Sequence, residues 1–243
     1  MKDNFSSVSS GYAKFRPGYP AELFDTIANL CSKHDTAWDC GTGNGQFAVH
    51  LLKYFDKVYA TDISRQQLEH AQMQDKIVYS LQPAEQTNFP DHTFDLITIA
   101  QAIHWFDFEK FYDEVRRTIT KNGIIAVTGY GLFRATSEID RIIDHFYEVV
   151  TGPYWDKERK YLDENYQTIP FPFEEIPVKN HEIVLQWNIE QVKGYLGTWS
   201  AIKHYKKAND HDPVDLLLPE LERLWKESVT VRIPVFTRAG CVR

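Results

Sequence analysis

Apolar positions along this chain follow two alternating rhythms. From residue 20 to about 130, segments with apolar residues three and four apart take turns with short, nearly unbroken apolar runs. Leu23, Phe24, Ile27 and Leu30 mark a helix over Ala21–Cys31. Thr36–Cys40 and Lys57–Thr61 read as buried strands, with a helix from near Gln46 (Phe47, Ala48, Leu51, Leu52) between them. Ser64 with Gln67 makes a capping box ahead of Leu68 and Ala71. Ile77–Leu81 and Phe94–Ala100 are the expected third and fourth strands, the latter apolar enough for the middle of a parallel sheet. A helix over Phe108–Ile119 and a turn at Asn122-Gly123 lead into a fifth strand, Ile124–Thr128. Strands and helices in this alternation predict an α/β fold, a doubly wound and mostly parallel sheet with ligands at the carboxyl ends of its strands.

The texture changes after Gly131. Ile139, Ile142, Ile143, Phe146 and Val150 predict an amphipathic helix over Ser137–Val150, and residues 153–178 are rich in proline and aromatics. Residues 132–180 are expected to form an inserted cap, with 1–131 and 181–243 making up the α/β domain. His181–Trp187 resumes the sheet, and Ile189–Tyr205 reads as a helix carrying Val192, Leu196, Trp199 and Ile202. Val229–Phe236 closes a seven-stranded sheet as part of an antiparallel edge hairpin.

Composition narrows the function classes. At 243 residues with 43% hydrophobic content the chain can bury one sizeable core. Its net charge of −7 disfavours a nucleic-acid partner, which calls for a basic face. Three cysteines, Cys31, Cys40 and Cys241, lack metal spacing and fit a reducing compartment. No run approaches the ~20 apolar residues of a membrane span, and MKDNFSSVSS has no apolar signal core. The expected location is cytoplasmic, without membrane or metal.

The chemistry concentrates in AWDCGTGNGQF, residues 37–47. It places Gly41, Gly43 and Gly45 in a strand-to-helix turn, where a ligand approaches backbone closely. Asp62 follows at the end of the second strand, where such folds hold a pair of ribose hydroxyls. A dinucleotide site wants a small residue where Gln46 stands. Asp39, just ahead of the turn, would repel a pyrophosphate and suit an ammonium group. S-adenosylmethionine, with its adenosine, ammonium, carboxylate and sulfonium, meets these demands better than a dinucleotide.

AWDCGTGNGQF, then YATDIS, then PAEQTNFPDHTFDLITIAQAIHWF resemble, in that order, the class I S-adenosylmethionine-dependent methyltransferases of the type 11 domain. More narrowly they resemble the small-molecule group that includes trans-aconitate methyltransferases, as do YAKFRPGYP and LGTWS near the two ends. The likeness spans nearly the whole chain apart from residues 132–180. It implies that Asp39 orients the methionine ammonium and that Ile63 walls the adenine. Ala84 and Glu85 would form the adenine pocket, and the backbone at Gln101 and Ala102 would take the ammonium. Tyr12, Arg16 and Tyr19 would fold over the methionine end, with Arg16 pairing with the cofactor carboxylate or with an acidic substrate.

His104, in QAIHWF, follows the fourth strand directly and is the candidate to orient a substrate carboxylate or to act as base. A carboxylate acceptor, with a pKa of about 4, needs no base at neutral pH. The resemblance to carboxyl methylators, with no obvious second base in the chain, implies O-methylation of a small acid, with Arg16, His104 and Lys203 receiving its charge, in a monomer or weak homodimer. Two other readings stay open at this level: a non-catalytic S-adenosylmethionine-binding regulator, and a nicotinamide-dependent oxidoreductase.

Overall fold

The computed structural model describes residues 15–243. After helix α1 (Ala21–Ala28) come β1 (Thr36–Cys40), α2 (Gln46–Leu51), β2 (Lys57–Asp62), α3 (Arg65–Glu69) and β3 (Ile77–Leu81). β4 (Phe94–Ala100), α4 (Phe108–Thr118) and β5 (Ile119–Tyr130) continue the alternation. The segment after Gly131 holds α5 (Ser137–His145), a π turn over Phe146–Val150, α6 (Arg159–Asp163) and β6 (Glu174–Ile176). β7 (His181–Trp187), α7 (Ile189–Leu196), α8 (Ser200–Ala208), α9 (Pro213–Leu224) and β8 (Val229–Val242) complete the chain.

The strands run in the order β3-β2-β1-β4-β5-β8-β6, with β7 also paired to β8. β1 through β5 are mutually parallel, and β8 is antiparallel to β5, β6 and β7. The expected doubly wound α/β sheet is therefore present, with eight strands among the described residues in place of seven. The added strand, β6, pairs Glu174–Ile176 with Ala239–Cys241, so the end of the 132–180 segment belongs to the sheet.

Side-chain alternation along the central strands sorts residues onto two faces. Ala37, Leu96, Ile124 and Ala126 join α1, α2 and the later helices in one core. Trp38, Ile97, Ile99, Ile125 and Val127 meet Phe111 and Val115 of α4, together with Leu162, Tyr166 and Ile169, in the other. Trp38 is fully buried, and its indole Nε1 donates to Thr61 Oγ1 at 2.9 Å, which satisfies its polar atom inside the core.

Three elements depart from expectation. Asn122-Gly123 is not a turn into β5 but a bulge within it: Ile119 pairs with Phe94, Ile124 with Leu96, and Asn122 has φ of +62°. The helix expected over Ile189–Tyr205 breaks at Gly197–Trp199 into α7 and α8. The antiparallel pair β7–β8 is no tight hairpin, since α7, α8 and α9 lie between its strands. Among the described residues, no helix is long and apolar enough to cross a membrane.

Candidate active site

The strand order reverses between β1 and β4, so the crevice lies past Cys40 and Ala100. A pocket opens there. Arg16, Gly41, Gly43, Asp62, Ile63, Gln67, Gln101, Ala102, Trp105, Phe106 and Tyr130 all contribute to its walls.

The glycine turn from β1 into α2 has φ of +70°, +58° and +81° at Gly41, Gly43 and Gly45, a conformation that side chains rarely adopt. A Cβ on Gly41 would press on Ala102 Cβ at 2.7 Å, and one on Gly45 would strike the Tyr79 ring. Gly43 differs. A Cβ there would meet nothing nearer than Gln67 Oε1 at 4.0 Å, so the missing side chain leaves open space beside the pocket. The Asp62 carboxylate holds this turn: Oδ2 accepts from Gly43 N and Oδ1 from Ser64 N, both at 2.8 Å. A carboxylate oxygen can accept more than one hydrogen bond, so this group can hold the turn and also meet a ligand hydroxyl.

The capping box is half formed. Ser64 Oγ accepts from Gln67 N at 3.3 Å, but the Gln67 carboxamide does not reach back. It turns toward the pocket instead, 4% exposed, with Oε1 lacking a hydrogen-bond partner among the described residues.

Across the crevice, Gln101 sits just past β4 with φ of +55°. Its Nε2 donates to Tyr130 O at 3.1 Å and its N–H to Thr128 O at 2.9 Å, which pins a backbone strained by about 1–3 kcal/mol. Arg16 reaches the same end of β5, where Nη1 donates to the Tyr130 hydroxyl at 2.9 Å.

Other expected site residues lie off the pocket wall. Asp39 is buried beneath the turn, where Oδ2 accepts from the Thr42 hydroxyl at 2.5 Å and Oδ1 from the Thr98 hydroxyl at 2.9 Å. Burial outweighs those hydrogen bonds and lifts its pKa to about 6. Ala84 is buried in the core on the α4 side, and Glu85 Oε1 accepts from Asp107 N at 3.1 Å, ahead of α4. Gly45 packs on Tyr79. Tyr12 falls outside the described residues.

A second, smaller chamber shares Arg16, Gln101 and Trp105 with the first and adds His104, Trp155, Asp156, Arg159, Leu162 and Ser200. His104 is 7% exposed, and Nδ1 lies 2.9 Å from the Tyr166 hydroxyl. Burial, and then the positive charges of Arg159 and Arg16, pull its pKa down to about 3. That shift favours the neutral ring and works against a general-base role near neutrality.

Sequence reasoning passed over Gln67, Phe106, Tyr130 and Arg159. Tyr130 ends β5 at the carboxyl edge of the sheet, a position that fold rules alone flag. Gln67 carried a signal, but helix capping had already absorbed it. Arg159 had none, because the segment around it matches no motif.

Comparison with known proteins places this geometry. Residues 38–127 match the family model of a methyltransferase domain. A Dictyostelium discoideum protein named as a methyltransferase is 38% identical over 224 residues, covering 90% of this chain and 84% of that one. A solved methyltransferase structure from Anaeromyxobacter dehalogenans, described as type II, is 34% identical with a TM-score of 0.87 and covers 93% of this chain and 98% of its own. A methyltransferase from Bacillus halodurans, at 19% identity and a TM-score of 0.52 over 91% of this chain and 97% of its own, shares the fold.

Proposed function

We propose that this chain, which belongs to the class I S-adenosylmethionine-dependent methyltransferases, methylates a carboxylate oxygen of a small acidic acceptor held in the second chamber. S-adenosylmethionine supplies a methyl group on a sulfonium sulfur, which the acceptor oxygen attacks as the carbon–sulfur bond breaks and its electron pair returns to sulfur. The pocket suits that donor. Gly43 leaves space where a Cβ would stand, Asp62 presents its carboxylate beside it, and Gln67 turns toward the same space a buried carboxamide oxygen that has no partner among the described residues.

In this reading Asp62 accepts the ribose hydroxyls, and Ile63 walls the adenine. The backbone at Gln101 and Ala102 faces the ammonium, while Arg16, on the wall common to both chambers, meets a carboxylate at their junction. Asp39 works from beneath, bracing the turn through Thr42 and tying it to β4 through Thr98. Ala84 and Glu85 act on the adenine side only through the loop ahead of α4. Residues 132–173 serve as the acceptor cap, contributing Trp155, Asp156 and Arg159 to the chamber. Transfer then depends on positioning and on keeping water out.

The observation that supports the carboxylate is the setting of His104, buried against the Tyr166 hydroxyl in a chamber shared with Arg16 and Arg159. An amine or phenol must lose a proton to react, and a histidine with a pKa of about 3 is a poor group to take it. A carboxylate arrives already ionised. His104 is then a neutral, positioning side chain. The motif resemblance to trans-aconitate methyltransferases supports the same class of acceptor.

Incubation with methyl-labelled S-adenosylmethionine and a panel of small carboxylic acids tests the reading. Label recovered as a base-labile methyl ester is the expected result. Label appearing only on amines or phenols would replace the carboxylate with another nucleophile.

A further inference from the structure

The second chamber contains an arginine held rigidly from one side. Arg159 donates through Nε to the Tyr147 hydroxyl at 2.8 Å and to Asp163 Oδ1 at 3.2 Å. Its guanidinium carbon stands 4.6 Å from the centre of the Trp155 ring and 5.3 Å from that of Tyr147. These contacts fix the plane of the group through Nε and its faces. Neither Nη atom has a hydrogen-bond acceptor among the described residues, and the side chain lines the chamber beside His104 and Trp155.

We propose that Arg159 is an anion subsite for a second oxyanion group of the acceptor, one that is not methylated. The inference rests on the acidic acceptor described above and adds a further charge at a stated place. Two parallel N–H donors match the oxygens of a carboxylate, sulfonate or phosphate, and ordering by Tyr147 and Trp155 reduces the entropy lost on binding. A carboxylate gripped in this way has its oxygen lone pairs engaged, which blunts it as a nucleophile. The fork therefore suits a group that is held, not one that reacts. Charge agrees: among the described lining residues, Arg16 and Arg159 stand with one carboxylate, Asp156. Asp163 offsets part of the Arg159 charge from behind, on the Nε side.

Glutarate and valerate are the probes, equal in carbon count and differing by one carboxylate. Wild-type protein should prefer glutarate as acceptor by about tenfold or more in kcat/KM, a difference within reach of one bidentate charge-assisted contact. Arg159→Gln should raise the glutarate KM by that factor and erase most of the preference for glutarate over valerate. Arg159→Lys should restore only part, since an ammonium lacks the fork. Equilibrium dialysis of labelled glutarate against protein saturated with S-adenosylhomocysteine gives a readout free of turnover, and Arg159→Gln should weaken that binding about tenfold. Equal glutarate binding by wild type and Arg159→Gln, or no saturable binding by wild type, overturns the subsite. So does an Arg159→Gln variant that loses valerate turnover and thermal stability in step with glutarate, because that marks a role in cap folding alone. Arg159-dependent glutarate binding with no acid esterified would keep the subsite and remove the carboxylate chemistry.

Discussion

Nδ1 of His104 and the hydroxyl of Tyr166 stand 2.9 Å apart, joining the loop after β4 to the segment that covers the second chamber. Tyr166 is 1% exposed, holds φ of +59° and meets Phe236 edge-on at 5.3 Å. Replacing it by phenylalanine takes this partner from a buried imidazole nitrogen and should cost about 1–3 kcal/mol. The expected signature of Tyr166→Phe is a lower Tm and a raised acceptor KM, with S-adenosylhomocysteine affinity close to wild type. Calorimetry and steady-state kinetics read these separately. An unchanged Tm would mean that the pair contributes nothing to the seating of the cap.

Asp62 serves the glycine turn and the ligand together. Asp62→Ala removes an ionised acceptor from both, and each charge-assisted hydrogen bond to the cofactor accounts for about 1.5–3 kcal/mol. S-adenosylhomocysteine binding should weaken by roughly 100-fold or more, measured by titration calorimetry. Asp62→Asn keeps the shape and loses the charge, so it should fall between the two. Wild-type affinity in Asp62→Ala would remove the carboxylate from the binding site.

Gln67 offers a trade between stability and binding. Its buried Oε1 has no partner among the described residues, and an unsatisfied buried oxygen costs about 1–3 kcal/mol. Gln67→Met fills nearly the same volume without a polar atom. The variant should melt higher than wild type in the absence of ligand and bind S-adenosylhomocysteine more weakly. Both changes disappearing together would show that the carboxamide is satisfied by solvent.

Much of the fold was legible because the core strands are short apolar runs whose alternating residues serve two faces, as Ile124 and Ile125 do. The switch point was legible for the same reason, and with it the places of Asp62 and Gln101. Asn122-Gly123 misled because a bulge and a turn both accept a left-handed asparagine before glycine, and only the register of Phe94 with Ile119 separates them. Spacing sets Asp39 near a ligand ammonium or within the glycine turn, and says nothing of the Thr42 and Thr98 hydroxyls that meet its two oxygens. Tertiary contacts of that kind leave no trace in spacing. Arg159 owes its place to Tyr147 and Trp155 in an irregular segment, where neither helical nor strand periodicity says which way a side chain points.

Two buried groups should oppose each other in the pH dependence of stability. His104 has a folded pKa of about 3 against the ordinary histidine value of 6.5. Between those values the unfolded chain binds a proton that the folded one does not, so its contribution is full above 6.5 and is lost as pH falls toward 3. Asp39 runs the other way, with a folded pKa of about 6 against 3.8. From 3.8 to 6 the folded state holds the extra proton, and stability from this group declines as pH rises. Over that shared window each contributes up to about 1.4 kcal/mol per pH unit, with opposite sign, and the two cancel. Asp39→Asn should unmask the histidine: relative to wild type, its unfolding free energy climbs with pH between about 4 and 6. His104→Gln should show the reverse, declining relative to wild type over the same interval. Urea unfolding at closely spaced pH values measures both differences, which also subtracts the titration of every other carboxylate. Parallel curves for wild type and Asp39→Asn would mean that the Thr42 and Thr98 hydroxyls fully offset the burial of this acid.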